Sequence, residues 1–311
     1  MTDLTGPVAL TTQQMATFAA RGFLKFDGVI PDEINQQFLK DVGSPSDLPD
    51  SLRGHYEKIR QSSTVPVVRA GTPLCEAYPA DSALARLVSN PIVAGAIESL
   101  VGLDCTFDHH FLHMTFPEDR YPEAMRPIRS QDTHQDSTID PRQAFDIQIF
   151  YFPHEVSAEM GGTRFVPGTH FRVVSEAAVS RYQNIVGQEH VVCPAGTVLI
   201  FHMGLWHGAG KNQSDLVRYL FKIRLAPTRR QRLLWDPEMT VDPLQRAIFW
   251  TDGSPTNRGD LHTILTRAEK WFEADTGRLE YLNRIRFWRY LTGDDNFDAD
   301  YWMTRIENEY T

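Results

Sequence analysis

The sequence predicts a mainly β domain with flanking α-helices. Between Cys105 and Arg224 the chain breaks into short runs rich in aromatic and β-branched residues, separated by Gly, Pro and Asp. Such spacing belongs to a sandwich or barrel rather than to alternating βαβ units. On both sides of that stretch the apolar residues switch to helical periodicity. We therefore expect one domain in three parts: a helical flank over 1–104, a β core over 105–226 and a helical extension over 227–311.

The elements follow in order. Thr11-Thr12-Gln13-Gln14 reads as a capping box ahead of Met15, Phe18 and Ala19, and Gly22 ends that helix. Phe23 to Phe26 make a short strand. Pro31-Asp32-Glu33 opens a second helix with Ile34, Phe38 and Leu39 on one face. A further helix is expected from about Ser82 to Leu100, closed by Gly102. The core strands are Thr106–Phe116, Phe145–Phe152, Thr163–Val166, His190–Cys193, Thr197–Phe201 and Val217–Leu225. Beyond Pro227, Leu261 to Ala274 and Leu279 to Leu291 carry helical spacing, and Trp235, Trp250, Trp271, Trp288 and Trp302 are expected to pack those helices on the sheet.

Composition narrows the function classes. Hydrophobic residues are 41% and charged residues 23% of 311, too apolar for a disordered chain. No apolar run approaches the roughly 20 residues of a membrane span, and the first residues carry no basic-then-apolar leader, so neither a membrane nor a secretory route is expected. Cys75, Cys105 and Cys193 show no paired or CxxC spacing, which suits a reducing, cytoplasmic setting. The formal net charge is −9, and Arg229, Arg230 and Arg232 are too few for a nucleic-acid footprint, so no nucleic-acid partner is expected. Oligomeric state stays open, a homo-oligomer included.

The chemistry gathers around one short segment. In Thr133-His134-Gln135-Asp136-Ser137 an imidazole and a carboxylate stand two residues apart, so on extended backbone both reach the same side. His207, in Leu205-Trp206-His207-Gly208, follows the strand Thr197–Phe201. Two imidazoles and one carboxylate on one face leave coordination positions open, the set that suits non-haem ferrous iron. HxD by itself is a weak signal, and its bland alternative is a surface histidine beside a solvated aspartate. Three further features strengthen it: the segment Met160-Gly161-Gly162-Thr163-Arg164-Phe165-Val166-Pro167-Gly168-Thr169-His170, the strand begun by Ala195-Gly196-Thr197, and Arg218, 11 residues after His207. Arginine is suited to planar, bidentate capture of a carboxylate.

In that order these motifs resemble the phytanoyl-CoA dioxygenase family of Fe(II)- and 2-oxoglutarate-dependent oxygenases, over roughly residues 10 to 226. The resemblance implies a double-stranded β-helix, a cupin-like jelly-roll barrel. It implies His134, Asp136 and His207 as ligands of Fe(II), and Arg218 as the grip on the distal carboxylate of 2-oxoglutarate. Gln135 matches a glutamine that some members place near the cosubstrate, although strand alternation turns it away. The chain departs from the family's pattern at Ala209, where many members carry serine, and at Thr197, where many carry an acidic residue. The implied reaction consumes O2 and 2-oxoglutarate, releases succinate and CO2, and hydroxylates a C–H bond of a small-molecule substrate. Rival readings are a metal-dependent isomerase or hydrolase, or a non-catalytic metal-binding module, on the same barrel.

Other residues are weaker candidates for the pocket. Gln148 points inward if Phe150 and Phe152 do, as a substrate or cosubstrate contact or as a satisfied core amide. His113, with His109, is expected to share a face with Phe107 and Phe111, and His202 to stand at the pocket edge. Arg126 and Arg129 precede the HxD segment in a Pro-containing loop and could meet an anionic substrate, although solvated charges are the plainer reading. His170 is expected to fix its own loop.

Overall fold

A computed structural model describes residues 6–49, 51–137, 144–172, 179–180, 184–229, 231 and 304–308. Leu261–Ala274, Leu279–Leu291 and the five late tryptophans lie outside the described residues, as do Arg230 and Arg232.

The N-terminal flank folds as its sequence dictates. Helix α1 (Thr12–Arg21) starts at Thr11, whose side chain accepts from the Gln14 amide while the Gln14 side chain accepts from the Thr11 amide. It stops at Gly22, left-handed at φ 80°. Strand β1 (Phe23–Phe26) follows, then α2 (Asp32–Val42), whose Ile34 and Phe38 are buried. Helix α3 (Leu52–Gln61), capped by the Ser51 hydroxyl, has no counterpart in the sequence reading. The single helix expected from Ser82 to Leu100 is two, α4 (Ala83–Val88) and α5 (Pro91–Val101). Asn90 supplies the break: its side chain caps the Ile92 and Val93 amides, and Pro91 takes the first helical position.

Two sheets make the core. The larger contains β1, β2 (Thr106–Thr115), β3 (Ile147–Phe152), β6 (Thr197–His202), β8 (Arg218–Ala226) and β9 (Thr304–Asn308), in the order β1-β6-β3-β8-β2-β9. All neighbours pair antiparallel except β2 and β9, which run parallel. The smaller sheet is β5 (Glu189–His190), β4 (Thr163–Phe165) and β7 (His207–Ala209), in that order and antiparallel. Both edge additions to the large sheet, β1 and β9, come from the parts expected as flanks.

The large sheet separates two apolar regions. Its outer face carries Ile147, Ile149, Tyr151, Ile200, Phe221, Ile223 and Leu225, packed with buried residues of the helices. Phe38 of α2 sits edge-on to Tyr151 and Phe221, 5.6 Å from each ring. The inner face carries Phe150, Phe152, Leu199, Phe201 and Leu220, which meet Phe165 of the small sheet.

Register fixes which polar residues join that inner face, because cross-strand partners point the same way. The partners run His109–Arg224, Phe111–Lys222, His113–Leu220 and Thr115–Arg218 between β2 and β8, and Gln148–Arg224 and Phe150–Lys222 between β3 and β8. A bulge between Phe107 and His109 shifts the pairing by one residue. Phe107 thereby turns to the outer core, edge-on to His110, and does not share the face of His109 and His113 as alternation had suggested.

Candidate metal centre

His134 and His207 are held by their main chains. The amide of each donates to the carbonyl of the other, at 2.9 Å both ways, an isolated antiparallel bridge that sets the two rings 4.5 Å apart. His207 is also paired across β4 with Phe165, and Phe150 and Phe201 pack against its ring. The Asp136 amide donates to the Met203 carbonyl at 3.2 Å, so all three residues of interest hang on the same stretch of backbone.

The ring nitrogens can be assigned by elimination. His134 Nδ1 lies 2.8 Å from the Asp132 carbonyl oxygen and His207 Nδ1 lies 2.9 Å from that of Leu205. A carbonyl only accepts, so both Nδ1 atoms carry the hydrogen, and in the neutral imidazoles both Nε2 atoms present a lone pair. Those lone pairs face Asp136: His134 Nε2 is 3.5 Å from Oδ1 and His207 Nε2 is 3.4 Å from Oδ2. One donor atom from each of the three residues falls within 4.8 Å of the other two. With the imidazoles neutral, these four acceptor atoms repel one another, and a metal cation among them would relieve that repulsion. The donor set is imidazole and carboxylate with no thiolate, which fits ferrous iron.

The surroundings carry charge that the sequence reading did not anticipate. Lys222 Nζ lies 2.8 Å from Asp136 Oδ2. Arg224 Nη1 donates to the Asp136 carbonyl at 3.0 Å, while its Nε pairs with Asp146 Oδ2 at 2.7 Å. All of these groups are buried. Burial alone would raise the Asp136 pKa, but the Lys222 ammonium, joined by His207 and His134 whenever they are protonated, outweighs it and holds the carboxyl well below the usual carboxylate range. Asp136 and Asp146 thus face two buried cations, Lys222 and Arg224.

Arg218 is fully buried at the start of β8. Its Nη2 donates to Thr115 Oγ1 at 2.6 Å and its Nη1 donates to the Gly161 carbonyl. Gly161 and Gly162 are required there: Gly161 has φ +64°, and a Cβ on it would sit 2.1 Å from the Lys211 carbonyl oxygen, while one on Gly162 would meet that of Val191 at 2.0 Å. The glycine pair of the GGTRF segment therefore lets neighbouring backbone close over the arginine.

The remaining candidates divide. Gln148 and His113 are buried on the inner face, on the same side as Arg218 and Lys222. Gln135 is buried between His134 and Asp136. His202 does not join them: it pairs with Ile147 on the outer face and stacks on Phe145 and Phe18 of the helical layer. The exposed Arg126 bends back on its own loop, donating to the Tyr121 and Asp119 carbonyls. Arg129 is exposed as well. His170 holds its loop to α1 through the Ala19 carbonyl at 3.0 Å. Lys222 and Arg224 were missed, although a signal existed: they share strand parity with Arg218, so an inward Arg218 carries them inward too.

Comparison with known proteins places the chain. A search of curated proteins finds no match. Solved structures resembling it include the non-heme monooxygenase ThoJ in its nickel complex, at 18% identity over 70% of this chain and 78% of that one, TM-score 0.47. HygX from Streptomyces hygroscopicus with iron bound shares 16% identity over 71% and 88%, TM-score 0.48. The non-heme alpha ketoglutarate dependent carbocyclase SnoK from nogalamycin biosynthesis shares 17% over 74% and 90%, TM-score 0.43. The family model of phytanoyl-CoA dioxygenase (PhyH) matches residues 19–219, a span that includes His134, Asp136, His207 and Arg218. With about two thirds of its length inside that match, the chain belongs to the phytanoyl-CoA dioxygenase family.

Proposed function

We propose that this protein is an Fe(II)- and 2-oxoglutarate-dependent dioxygenase that hydroxylates an unactivated C–H bond of a small molecule, releasing succinate and CO2. The observation that carries the reading is the confrontation of two imidazole lone pairs with both oxygens of one buried carboxylate. His134, Asp136 and His207 would hold the metal, and Gln135 and Arg218 would serve the cosubstrate. When bound, the iron supplies the site at which O2 and the keto acid meet.

The chain's own groups prepare that site. The Asp132 and Leu205 carbonyls fix the tautomer and tilt of the two imidazoles. Lys222 keeps Asp136 ionised and aimed. Arg218, buried with Thr115 on the same sheet face, offers a planar fork for a distal carboxylate, and the apolar wall of Phe150, Phe152, Leu199 and Leu220 keeps bulk water from the space between. We read the two sheets as a double-stranded β-helix, and the chain as one domain with a β core over 105–226 between its flanks.

A metal-dependent isomerase, a hydrolase or a metal-binding module would have no use for a buried guanidinium facing the metal ligands' side of the sheet. Anaerobic titration separates the readings. Ferrous protein should develop a weak visible charge-transfer band only when 2-oxoglutarate is added. Arg218→Ala should raise the concentration needed by about 100-fold, the loss expected for one buried charged pair. A band that forms equally well without the keto acid would remove the oxygenase reading.

A further inference from the structure

The inner face holds a row of polar groups that neither the metal nor Arg218 engages. His109, Arg224 and Gln148 are neighbours on β2, β8 and β3, joined by register, and each is at most 1% exposed. Each ends in atoms without a hydrogen-bond partner among the described residues: His109 Nε2, Arg224 Nη2, and both Nε2 and Oε1 of Gln148. Three adjacent strands presenting unmet polar atoms at one level is a costly arrangement, since each such group has given up its hydrogen bonds to water without replacement. His110, His170 and His202 each leave one ring nitrogen without a hydrogen-bond partner among the described residues, but Gln148 lacks one at both ends of its amide, whereas the buried Asn35 donates to the Ile30 carbonyl and accepts from the Tyr151 hydroxyl.

The row's position separates it from the cosubstrate end. Along β8, Arg218 lies four residues before Lys222 and Arg224 two residues after it. Lys222 touches Asp136 Oδ2, and Arg224 Nη1 reaches the Asp136 carbonyl. Along the strand, the level of Lys222, whose ammonium touches Asp136, therefore lies between Arg218 and this row.

The donors and acceptors define what fits. His109 Nδ1 lies 2.7 Å from Asp108 Oδ1. A carboxylate accepts, so Nδ1 carries the hydrogen and Nε2 accepts. Burial pushes the imidazole down to about 3 in spite of Asp108, so it stays neutral. Arg224 Nη2 donates, and Gln148 does both. The guanidinium is already offset by Asp146, and an anionic head would also meet Asp108 and Asp136 nearby. We propose that His109, Arg224 and Gln148 form the substrate-binding row of the site, built for a neutral group carrying both donor and acceptor atoms, a hydroxyl or carboxamide rather than a hydrocarbon chain or an anion. The proposal rests on the oxygenase reading for the word substrate, but its physical core is the unmet row itself.

Thermal denaturation of the protein with Ni(II) replacing iron and 2-oxoglutarate present tests it, with myo-inositol (a neutral polyhydroxyl ring) and decanoate (an anionic hydrocarbon chain) as probes. Myo-inositol should raise the melting temperature and decanoate should not. Gln148→Leu and Gln148→Met should each abolish the myo-inositol shift, keep 2-oxoglutarate affinity within about twofold, and raise the melting temperature of the ligand-free protein by about 3 °C, because an unpaired amide is gone. The proposal is overturned if decanoate stabilises and myo-inositol does not, if both variants keep the myo-inositol shift, or if both lower the ligand-free melting temperature. Failure of Ni(II)-loaded protein to bind 2-oxoglutarate would sink the oxygenase reading instead, while the ligand-free melting temperatures would still decide the row.

Discussion

Lys222 Nζ lies 2.8 Å from Asp136 Oδ2, and that same oxygen lies 3.4 Å from His207 Nε2. One carboxylate oxygen thus serves an ammonium while facing the imidazole with which it would share a metal. A divalent ion there would feel the ammonium's repulsion. Unit charges about 4 Å apart interact by about 4 kcal/mol at an effective dielectric near 20, and a doubly charged ion by about twice that. Losing the anchor on Asp136 costs about 10–100-fold in metal affinity, or about 1.4–2.7 kcal/mol. Repulsion is the larger effect. Lys222→Met should therefore bind Ni(II) at least about tenfold more tightly by calorimetry, while losing about 3 kcal/mol of metal-free stability as Asp136 is left unpaired. Weaker Ni(II) binding would mean that Lys222 acts chiefly as an anchor.

Acid should destabilise the protein well before carboxylates titrate. Burial is the main cause pushing His109 and His110 down to about 3 and His154 to about 4. In the unfolded chain each titrates near about 6.5. Below that pH the unfolded state takes up protons that the folded state refuses. Their contribution is complete above about pH 6.5 and is lost as pH falls toward about 4, at about 1.4 kcal/mol per pH unit for each histidine. Urea midpoints across that range should fall steeply, and a flat profile would contradict the buried neutral assignment. Asp136, its pKa lowered, adds a further loss only below about pH 4.

Phe38→Ala should cost about 4 kcal/mol in urea unfolding. The ring is fully buried and touches Tyr151 and Phe221 on the outer face of the sheet. Because that face is turned away from the triad, Ni(II) affinity should hold within about twofold. A large loss of affinity would mean that α2 shapes the inner face as well.

Gly161→Ala joins packing to cosubstrate binding. The new methyl meets the Lys211 carbonyl at 2.1 Å on a backbone at φ +64°, and the Gly161 carbonyl accepts from Arg218. The variant should lose about 2 kcal/mol or more. It should weaken 2-oxoglutarate binding to the Ni(II) protein more than Ni(II) binding itself. Equal 2-oxoglutarate affinity in variant and parent would show that Arg218 does not depend on this carbonyl.

Local signals carried much of the architecture. The Thr11–Gln14 capping box, the Gly22 stop and the core strands all have counterparts in the structure, within a residue or two at most ends. Several features were less legible, among them β9, a strand in the stretch expected to be helical. Strand β7 is three residues long and is defined by its pairing with β4 and with His134. Helix α3 contains Gly54 and buries only His55 and Ile59, so its apolar stripe is faint. The Asn90-Pro91 break was readable as a cap followed by a first-turn proline, yet the continuous apolar spacing around it concealed the stop. At the site, the proximity of His134, Asp136 and His207 depends on long-range pairing that no local window contains. The inward turn of Lys222 and Arg224 ran against the usual rule that charged strand residues face water, because each finds a buried aspartate.

The mutual amide–carbonyl clasp between residues 134 and 207 has a consequence for how such a centre can change over generations. The separation of the two donor-bearing positions is dictated by main-chain atoms that every amino acid other than proline possesses. Exchanging either side chain would alter the kind of atom offered while leaving untouched the point in space to which it is offered, so the scaffold can trial new metals or reactions one residue at a time without first relearning its geometry.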